Sequence, residues 1–145
     1  MLDHLRRIVR TLRESSRAAE ARIGVTGAQL FVLRALAGPR PLSLNQVAAR
    51  THTHQSTVSV VVKRLVARRL VRRAASTVDG RRVQLSLTTR GRSVLEQAPL
   101  AAQDRLIAGL EALSRKERCQ LAAGLGRLIE TMGLAGAVPA MFFEE

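Results

Sequence analysis

The sequence of 145 residues contains no tryptophan, no tyrosine and only three phenylalanines. Platforms for single-stranded nucleic acid and for RNA sequences stack bases on aromatic side chains, so this composition argues against them. The single cysteine, Cys119, excludes an internal disulfide and is typical of a reducing compartment. Apolar residues make up 46% of the chain, so aliphatic side chains must build its core.

Long apolar runs are also missing. No segment approaches the roughly 18 consecutive apolar residues of a membrane span. The first four residues lack the apolar stretch of a signal peptide, and the acidic residues Asp3, Glu14 and Glu20 disfavour a transit peptide. These features predict a soluble, cytoplasmic protein.

Acidic residues are almost absent from the middle of the chain. Residues 21–95 contain fourteen Arg or Lys and one acid, Asp79, whereas the other seventy residues contain ten bases and ten acids. The formal net charge of +13 therefore lies in one block with neutral flanks. The excess of 22 Arg over 2 Lys explains the number of Arg but not the missing acids. This segregation predicts a domain that binds a polyanion.

The sequence offers no constellation for catalysis. Paired carboxylates, a Ser/His/Asp set, a Gly-rich phosphate loop and zinc-ligand spacing are all missing, which argues against an enzyme and predicts no cofactor. His52 and His54 are close together, but no other His or acidic cluster accompanies them. They fit a turn residue or a phosphate donor better than metal ligands.

Apolar spacing and capping residues predict most helices. Residues 2 to about 20 form an amphipathic helix that needs a partner for its apolar side. Capping boxes at Thr26–Gln29, Ser43–Gln46 and Ser114–Glu117 each open a further helix. Thr88 caps a long helix from about 89 to 112, which Pro99 should kink rather than end.

Two elements are predicted between residues 54 and 87, a helix and a β-hairpin. Residues 57–62 are rich in β-branched side chains and alone would favour a strand. Val58, Val62 and Leu65 nevertheless fall at i, i+4 and i+7, which predicts a helix. Residues 70–75 and 82–87 then predict a β-hairpin around Asp79-Gly80. The basic block thus contains a helix-turn-helix followed by an Arg-tipped hairpin, which favours duplex DNA as the polyanion.

In this order the residues resemble the MarR family of bacterial transcriptional regulators, from about Val25 to Met132. The resemblance rests on five segments: Val25-Thr26-Gly27-Ala28-Gln29, Leu44 to Ala49, Ser56-Thr57-Val58-Ser59 through Leu65, Asp79-Gly80-Arg81-Arg82 and Leu87-Thr88-Thr89-Arg90-Gly91. One position departs from the family, which commonly has Gly where Arg69 precedes Leu70-Val71. If that position needs a left-handed backbone, Arg costs about 1 kcal/mol there.

The resemblance implies a mainly α fold with a small β-hairpin wing. A winged helix-turn-helix is expected at residues 25–90, called the winged domain below. Dimerisation helices are expected at 1–24 and 91–145, in one compact chain rather than in independent domains. The implied function is a sequence-specific regulator of transcription, a repressor, that binds double-stranded DNA as a homodimer.

The recognition helix should contact bases in the major groove with its outward residues. Thr57 has a second reading as a helix-capping residue, as does Ser56. In the wing, one of Arg81 and Arg82 is expected to enter the minor groove. The resemblance favours Arg81, which it pairs with Asp79 as the orienting carboxylate, and the alternative is an ordinary solvated ion pair in the turn. Basic residues beside these should contact phosphates. The full predicted DNA-binding set is His54, Gln55, Ser56, Thr57, Ser59, Val60, Lys63, Arg64, Arg72, Arg73, Asp79, Arg81 and Arg82.

The apolar stripes of the terminal helices predict the dimer interface. A two-fold dimer places its recognition helices about one DNA turn, near 34 Å, apart and predicts a pseudo-palindromic operator. The alternative is that these stripes close an intramolecular bundle and leave a monomer. The predicted dimerisation residues are Leu5, Ile8, Leu12, Leu121, Leu125, Leu128 and Met132, with Phe142 and Phe143 as further candidates.

The resemblance also implies release from DNA by a small anionic or aromatic effector, although no residue identifies the ligand. Arg10, Arg13 and Arg17 either face a pocket or are solvated. Some relatives sense oxidants through a cysteine near the N-terminus, but Cys119 flanks an apolar stripe and is predicted to be a buried structural thiol. Two alternatives for the whole chain remain: a nonspecific nucleoid-type DNA-binding protein, and an RNA-binding or ribosome-associated basic protein.

Overall fold

In the part of the chain that the computed structural model describes, residues 1–75, 83–99, 102–136 and 141, seven helices and three strands follow one another. The order confirms the mainly α fold with a small wing. The elements are α1 (Leu2–Ile23), α2 (Gly27–Ala35), β1 (Leu42–Ser43), α3 (Leu44–Arg50), α4 (Gln55–Ala67), β2 (Val71–Ala75), β3 (Val83–Leu87), α5 (Thr89–Glu96), α6 (Ala102–Ala112) and α7 (Arg115–Thr131).

The predicted capping box at the start of α2 is only half formed. Thr26 Oγ1 accepts a hydrogen bond from the Gln29 backbone N–H at 3.3 Å. The Gln29 side chain does not return to Thr26, because its Oε1 accepts a hydrogen bond from Arg68 Nη1 at 2.8 Å instead. Gln29 is buried, so this bond satisfies a polar group that water does not reach and joins α2 to the end of α4.

The valine-rich segment is helical, as predicted. Val58, Val61, Val62 and Leu65 have no exposed surface, and they recur at the spacing of one helix face. Strand propensities differ by only about 1 kcal/mol. Full burial of one Val or Leu side chain contributes about 1.5–3 kcal/mol, so packing decides the conformation.

The wing contains a third strand that the sequence did not predict. β3 lies between β1 and β2, with Leu42 opposite Leu85 and Val71 opposite Leu87 in antiparallel register. β1 has only two residues, too few to show an alternating pattern. The predicted inward alternation in β3 holds for Leu85 and Leu87, which are buried, but Val83 is 53% exposed.

The prediction of one long helix from 89 to 112 is wrong. Thr88 caps α5 as expected, accepting the Gly91 N–H at 3.0 Å, but α5 ends at Glu96 and α6 begins only at Ala102. Pro99 has no N–H for the carbonyl of Leu95, and its ring disfavours helical backbone at the preceding residue. The carbonyl of Leu95 accepts the N–H of Ala98 at 3.1 Å instead.

Helix α7 begins with the predicted capping box. Ser114 Oγ accepts the Glu117 N–H at 3.3 Å, and Glu117 Oε2 accepts the Ser114 N–H at 2.8 Å. Hydrogen bonds from the side chain and backbone of Ser114 lower the pKa of the Glu117 carboxyl. The helix ends just before Gly133, as predicted, and the left-handed φ of 70° at Gly133 is typical of a glycine that follows a helix.

No side chain of α7 is buried within one chain. This exposure overturns the prediction for Cys119, which is exposed rather than a buried thiol. The apolar stripe beside it faces outward as well: Leu121, Leu125 and Leu128 are each about two-fifths exposed. An apolar stripe on a helix therefore predicts burial only where another surface of the protein covers the stripe.

The apolar core lies inside the winged domain. Residues of α2, α3, α4 and the sheet form one cluster, which Met141 joins from beyond α7 with 6% of its surface exposed. Across the described ranges, no helix has both the length and the apolar character of a membrane span. The same ranges contain no group of three or more His, Cys, Asp or Glu side chains placed to hold a metal ion.

Candidate nucleic-acid interface

The turn between α3 and α4 is held by its own hydrogen bonds. Thr51, which is buried, donates its hydroxyl to the carbonyl of Val47 at 2.9 Å, and the N–H of Thr53 donates to the carbonyl of Ala48 at 3.0 Å. His52 takes a left-handed φ of 50° at this turn. These bonds satisfy the end of α3 and fix the direction in which α4 leaves it.

The predicted recognition helix presents most of its expected residues to solvent. His54 stands at the N-cap position without a side-chain cap bond, and the surface beyond it is polar apart from Val60, which is 47% exposed. Exposed or partly exposed residues along this side are His54, Gln55, Ser56, Ser59, Val60, Lys63 and Arg64.

Thr57 does not belong to this outward side. Only 7% of its surface is exposed, so the prediction that it faces outward is wrong. Thr57 is the third residue of α4, on the side that also carries Val58 and Val61 toward the core.

The two arginines after α4 have different surroundings. Arg68 donates to Gln29 in α2, so its guanidinium serves the packing of the winged domain. Arg69 adopts a left-handed φ of 58°, the conformation for which glycine is favoured. The family departure at Arg69 therefore carries the backbone cost that the sequence predicted.

Helix α4 and the wing line one groove. This groove has a volume of about 600 Å³ and brings Gln55 and Ser59 of α4 beside Arg73 of β2. Arg72, on the same strand, donates its Nε–H to Ser86 Oγ at 2.9 Å and is held against β3. Both arginines are exposed. The structure thus brings Gln55, Ser59 and Arg73 of the predicted set to one groove, whereas Arg72, the neighbouring residue of the strand, does not line it.

The groove also contains residues that the sequence analysis did not assign to DNA. Ser43, Leu44 and Asn45 approach it from the start of α3, and Val83 approaches it from β3. The capping box at Ser43 was the available signal, because it located the start of α3, where these three residues lie. Asp79, Arg81 and Arg82 lie outside the described residues.

The surroundings of this face are strongly cationic. No acidic side chain occurs between Ala21 and Leu95 except Asp79, so little offsets the charge of the block. A surface of one sign attracts a polyanion and speeds its association. The arrangement suits a duplex, in which a helix enters one groove and the flanking cations meet phosphates.

Comparison with known proteins shows which family the chain belongs to. The model of the MarR family matches residues 23–82. The transcriptional repressor MdtR of Bacillus subtilis is 36% identical over 112 residues, which cover 74% of this chain and 72% of MdtR. The chain belongs to the MarR family.

Solved structures agree with this membership. A probable transcriptional regulator from Pseudomonas aeruginosa matches with a TM-score of 0.57 and 32% identity, covering 89% of this chain and 97% of that protein. BpsR of Bordetella bronchiseptica, whose DNA binding is regulated by 6-hydroxynicotinic acid, matches with a TM-score of 0.54 and 29% identity, covering 91% of this chain and 98% of BpsR. As a MarR-family protein, the chain is a DNA-binding regulator of transcription.

Proposed function

We propose that this chain is a cytoplasmic repressor that binds a pseudo-palindromic operator as a homodimer. The observation that carries the proposal is the shared groove, where Gln55 and Ser59 of α4 lie beside Arg73 of the wing, in a sequence block whose single acid is Asp79. A helix that presents polar side chains next to cationic strands matches the way winged domains bind a duplex.

Within this proposal the outward residues divide into two roles. Gln55 and Ser59 contact base edges, because an amide can pair with adenine in two places and a hydroxyl accepts or donates. The exposed Val60 packs against a thymine methyl. The cations Lys63, Arg64, Arg72 and Arg73, with His54 and Ser56, contact the backbone, and in the wing Asp79 orients Arg81, beside Arg82, toward the minor groove.

The exposed terminal helices support a second copy of the chain as partner. α7 buries no side chain within one chain, and α1 exposes Leu2, Leu5, Ile8 and Val9. Exposed apolar faces of this extent mark an interaction surface. Leu12 differs from its neighbours, because one chain already buries it to 4% exposure. The proposed interface is therefore formed by Leu5, Ile8, Leu121, Leu125, Leu128 and Met132, with Leu12 supporting it from below.

We also propose that an anionic aromatic molecule releases the repressor from DNA. The support is BpsR, which responds to an aromatic acid and aligns over nearly all of its length. Such a ligand acts only if it binds one separation of the two winged domains better than the other. A panel of aromatic acids, added to the protein–operator complex, identifies the ligand by loss of binding.

Selection from a random duplex library tests the proposed function. The expected result is an enriched sequence with two inverted half-sites, and sedimentation of the purified protein should show a dimer at micromolar concentration. Enrichment without a consensus sequence would instead indicate nonspecific DNA binding, and a monomer would remove the proposed mechanism.

A further inference from the structure

Arg34 connects the winged domain to the helices that follow it. From α2, its Nη2 donates to the carbonyl of Pro99 at 2.6 Å, and its Nη1 lies 3.1 Å from Asp104 Oδ2 in the first turn of α6. The Arg34 side chain is only 26% exposed and that of Asp104 38%, so water screens this pair incompletely. We call these contacts the Arg34 bridge.

A second contact holds the start of α6 from the other side. Ser15 Oγ of α1 accepts the N–H of Ala102, the first residue of α6, at 3.0 Å. The adjacent Ser16 Oγ accepts the N–H of Gly27, the first residue of α2, at 3.0 Å. Neighbouring serines of α1 thus satisfy unpaired amides at the starts of the two helices that the Arg34 bridge joins.

These contacts matter because α5 and α6 are separate helices. A continuous helix would fix the direction of α6 through its backbone, but the break at Pro99 removes that constraint. The direction of α6, and of α7 after it, then depends on side-chain contacts, to Arg34 of the winged domain and to Ser15 of α1. Arg34 faces this junction and is not among the residues that line the groove beside α4.

We propose that the Arg34 bridge is a positioning device that sets the separation of the two recognition helices, and so the operator half-site spacing that the dimer accepts. The inference rests on the proposed dimeric function. If α7, which follows α6, carries the interface together with α1, then the angle between α6 and the winged domain determines that separation. One added base pair moves a half-site by about 3.4 Å and rotates it by about 35°. A dimer in which the angle between α6 and the winged domain is fixed therefore cannot bind both half-sites of an operator with altered spacing.

Two opposite charge changes test the inference. Arg34→Gln removes a positive charge from the bridge, whereas Asp104→Asn removes its negative charge. Arg40→Gln is the matched control, because Arg40 is exposed and its loss changes the net charge in the same way as Arg34→Gln. Each protein is titrated with the selected operator, with operators that have one or two base pairs added or removed at the centre, and with a single half-site.

The wild type and Arg40→Gln should prefer the selected spacing by about tenfold or more, a usual size for coupling between two sites. Arg34→Gln and Asp104→Asn should both reduce that preference to about threefold or less, while binding to the single half-site changes equally in Arg34→Gln and Arg40→Gln. A general loss of stability would weaken all duplexes alike and would not change the preference. Arg34→Lys keeps the charge but replaces the planar guanidinium, whose Nη2 and Nη1 meet Pro99 and Asp104 separately, by a single nitrogen, so it serves if Arg34→Gln fails to fold.

Unchanged spacing preference in folded Arg34 and Asp104 variants would overturn the inference and leave the proposed function intact. A change in only one of the two variants, following the sign of the charge, would also overturn it. A wild-type protein that selects no paired half-sites would contradict the proposed function itself, and the inference with it.

Discussion

Arg69 holds a backbone conformation that side chains with a Cβ rarely adopt. Its φ of 58° directs the chain out of α4, and the N–H of Leu70 donates back to the carbonyl of Leu65 at 3.0 Å. Thr88 Oγ1 donates to the carbonyl of Arg69 at 2.8 Å and helps to keep this exit in place. The geometry is that of a helix C-terminus at which glycine is common.

Arg69→Gly should therefore stabilise the protein by about 1 kcal/mol, because glycine enters the left-handed region without the Cβ clash. Urea unfolding at one fixed protein concentration measures the change. Ala67→Gly, at a helical position two residues earlier, is the control and should lower stability by about 0.5–1 kcal/mol. An equal loss of stability in both variants would show that Arg69 carries no strain.

Arg73→Ala and Arg81→Ala should impair DNA binding in different ways. Arg73→Ala removes a phosphate contact, so it should weaken specific and random duplexes alike and reduce the salt slope by about 1. Arg81→Ala should cost about 1–3 kcal/mol on the operator and relax its preference for A·T pairs beside the half-site. Fluorescence anisotropy at several salt concentrations separates the two, with Arg105→Ala on the exposed side of α6 as the control. Wild-type binding by both variants would refute the wing assignment.

At the scale of elements, Gly91 determines how α5 meets the winged domain. A Cβ at this position would lie 2.1 Å from the carbonyl oxygen of Leu70, which is backbone and cannot turn aside. The same carbonyl accepts the N–H of Thr88 at 3.0 Å. The close approach lets α5 start directly beside the junction of α4 and β2.

Gly91→Ala should destabilise the protein by about 1–3 kcal/mol, because α5 must move away from Leu70 to admit the methyl group. Gly109→Ala in α6 is the matched control: a Cβ there meets nothing within 4 Å in the described chain. That variant should gain up to about 1 kcal/mol from the higher helix propensity of alanine. Thermal unfolding of the two variants side by side measures the difference, and similar melting temperatures would contradict the packing described for Gly91.

Helices and strands could be predicted from the sequence where the signal is local. The capping boxes at Ser43 and Ser114 and the spacing of Val58, Val62 and Leu65 act over one or two turns, and the predictions based on them are confirmed. Two of the errors have longer-range causes. The strand β1 exists only because β3 pairs with it, and Gln29 is drawn from Thr26 by Arg68, 39 residues away.

The candidate site also combines residues that local periodicity predicts with residues whose positions depend on tertiary packing. The outward side of α4 followed from helical periodicity, except that Thr57, at the helix start, turned inward. The position of Arg73 beside Gln55 depends on how the wing folds back on α4, and composition cannot give that. The Arg34 bridge spans 70 residues to Asp104 and has no sequence signature.

At the scale of the whole molecule, the apolar stripe of α7 should hold the dimer together. Leu125→Asp places a charge in that stripe and should convert the dimer to a monomer, because a buried unpaired carboxylate is costly. Gln120→Asp adds the same charge elsewhere on α7, at an exposed polar residue, and should leave the dimer intact. Sedimentation velocity distinguishes the species; a dimer in both variants would place the interface elsewhere.

Competition for the selected operator duplex, bound by the wild-type protein at physiological salt, tests directly whether this protein recognises a DNA sequence. Unlabelled operator should displace the probe at concentrations about 10³-fold or more below those needed for a random duplex. Structured RNA should compete no better than random DNA. Equal competition by random duplex, or stronger competition by RNA, would contradict the claim that this protein recognises a DNA sequence.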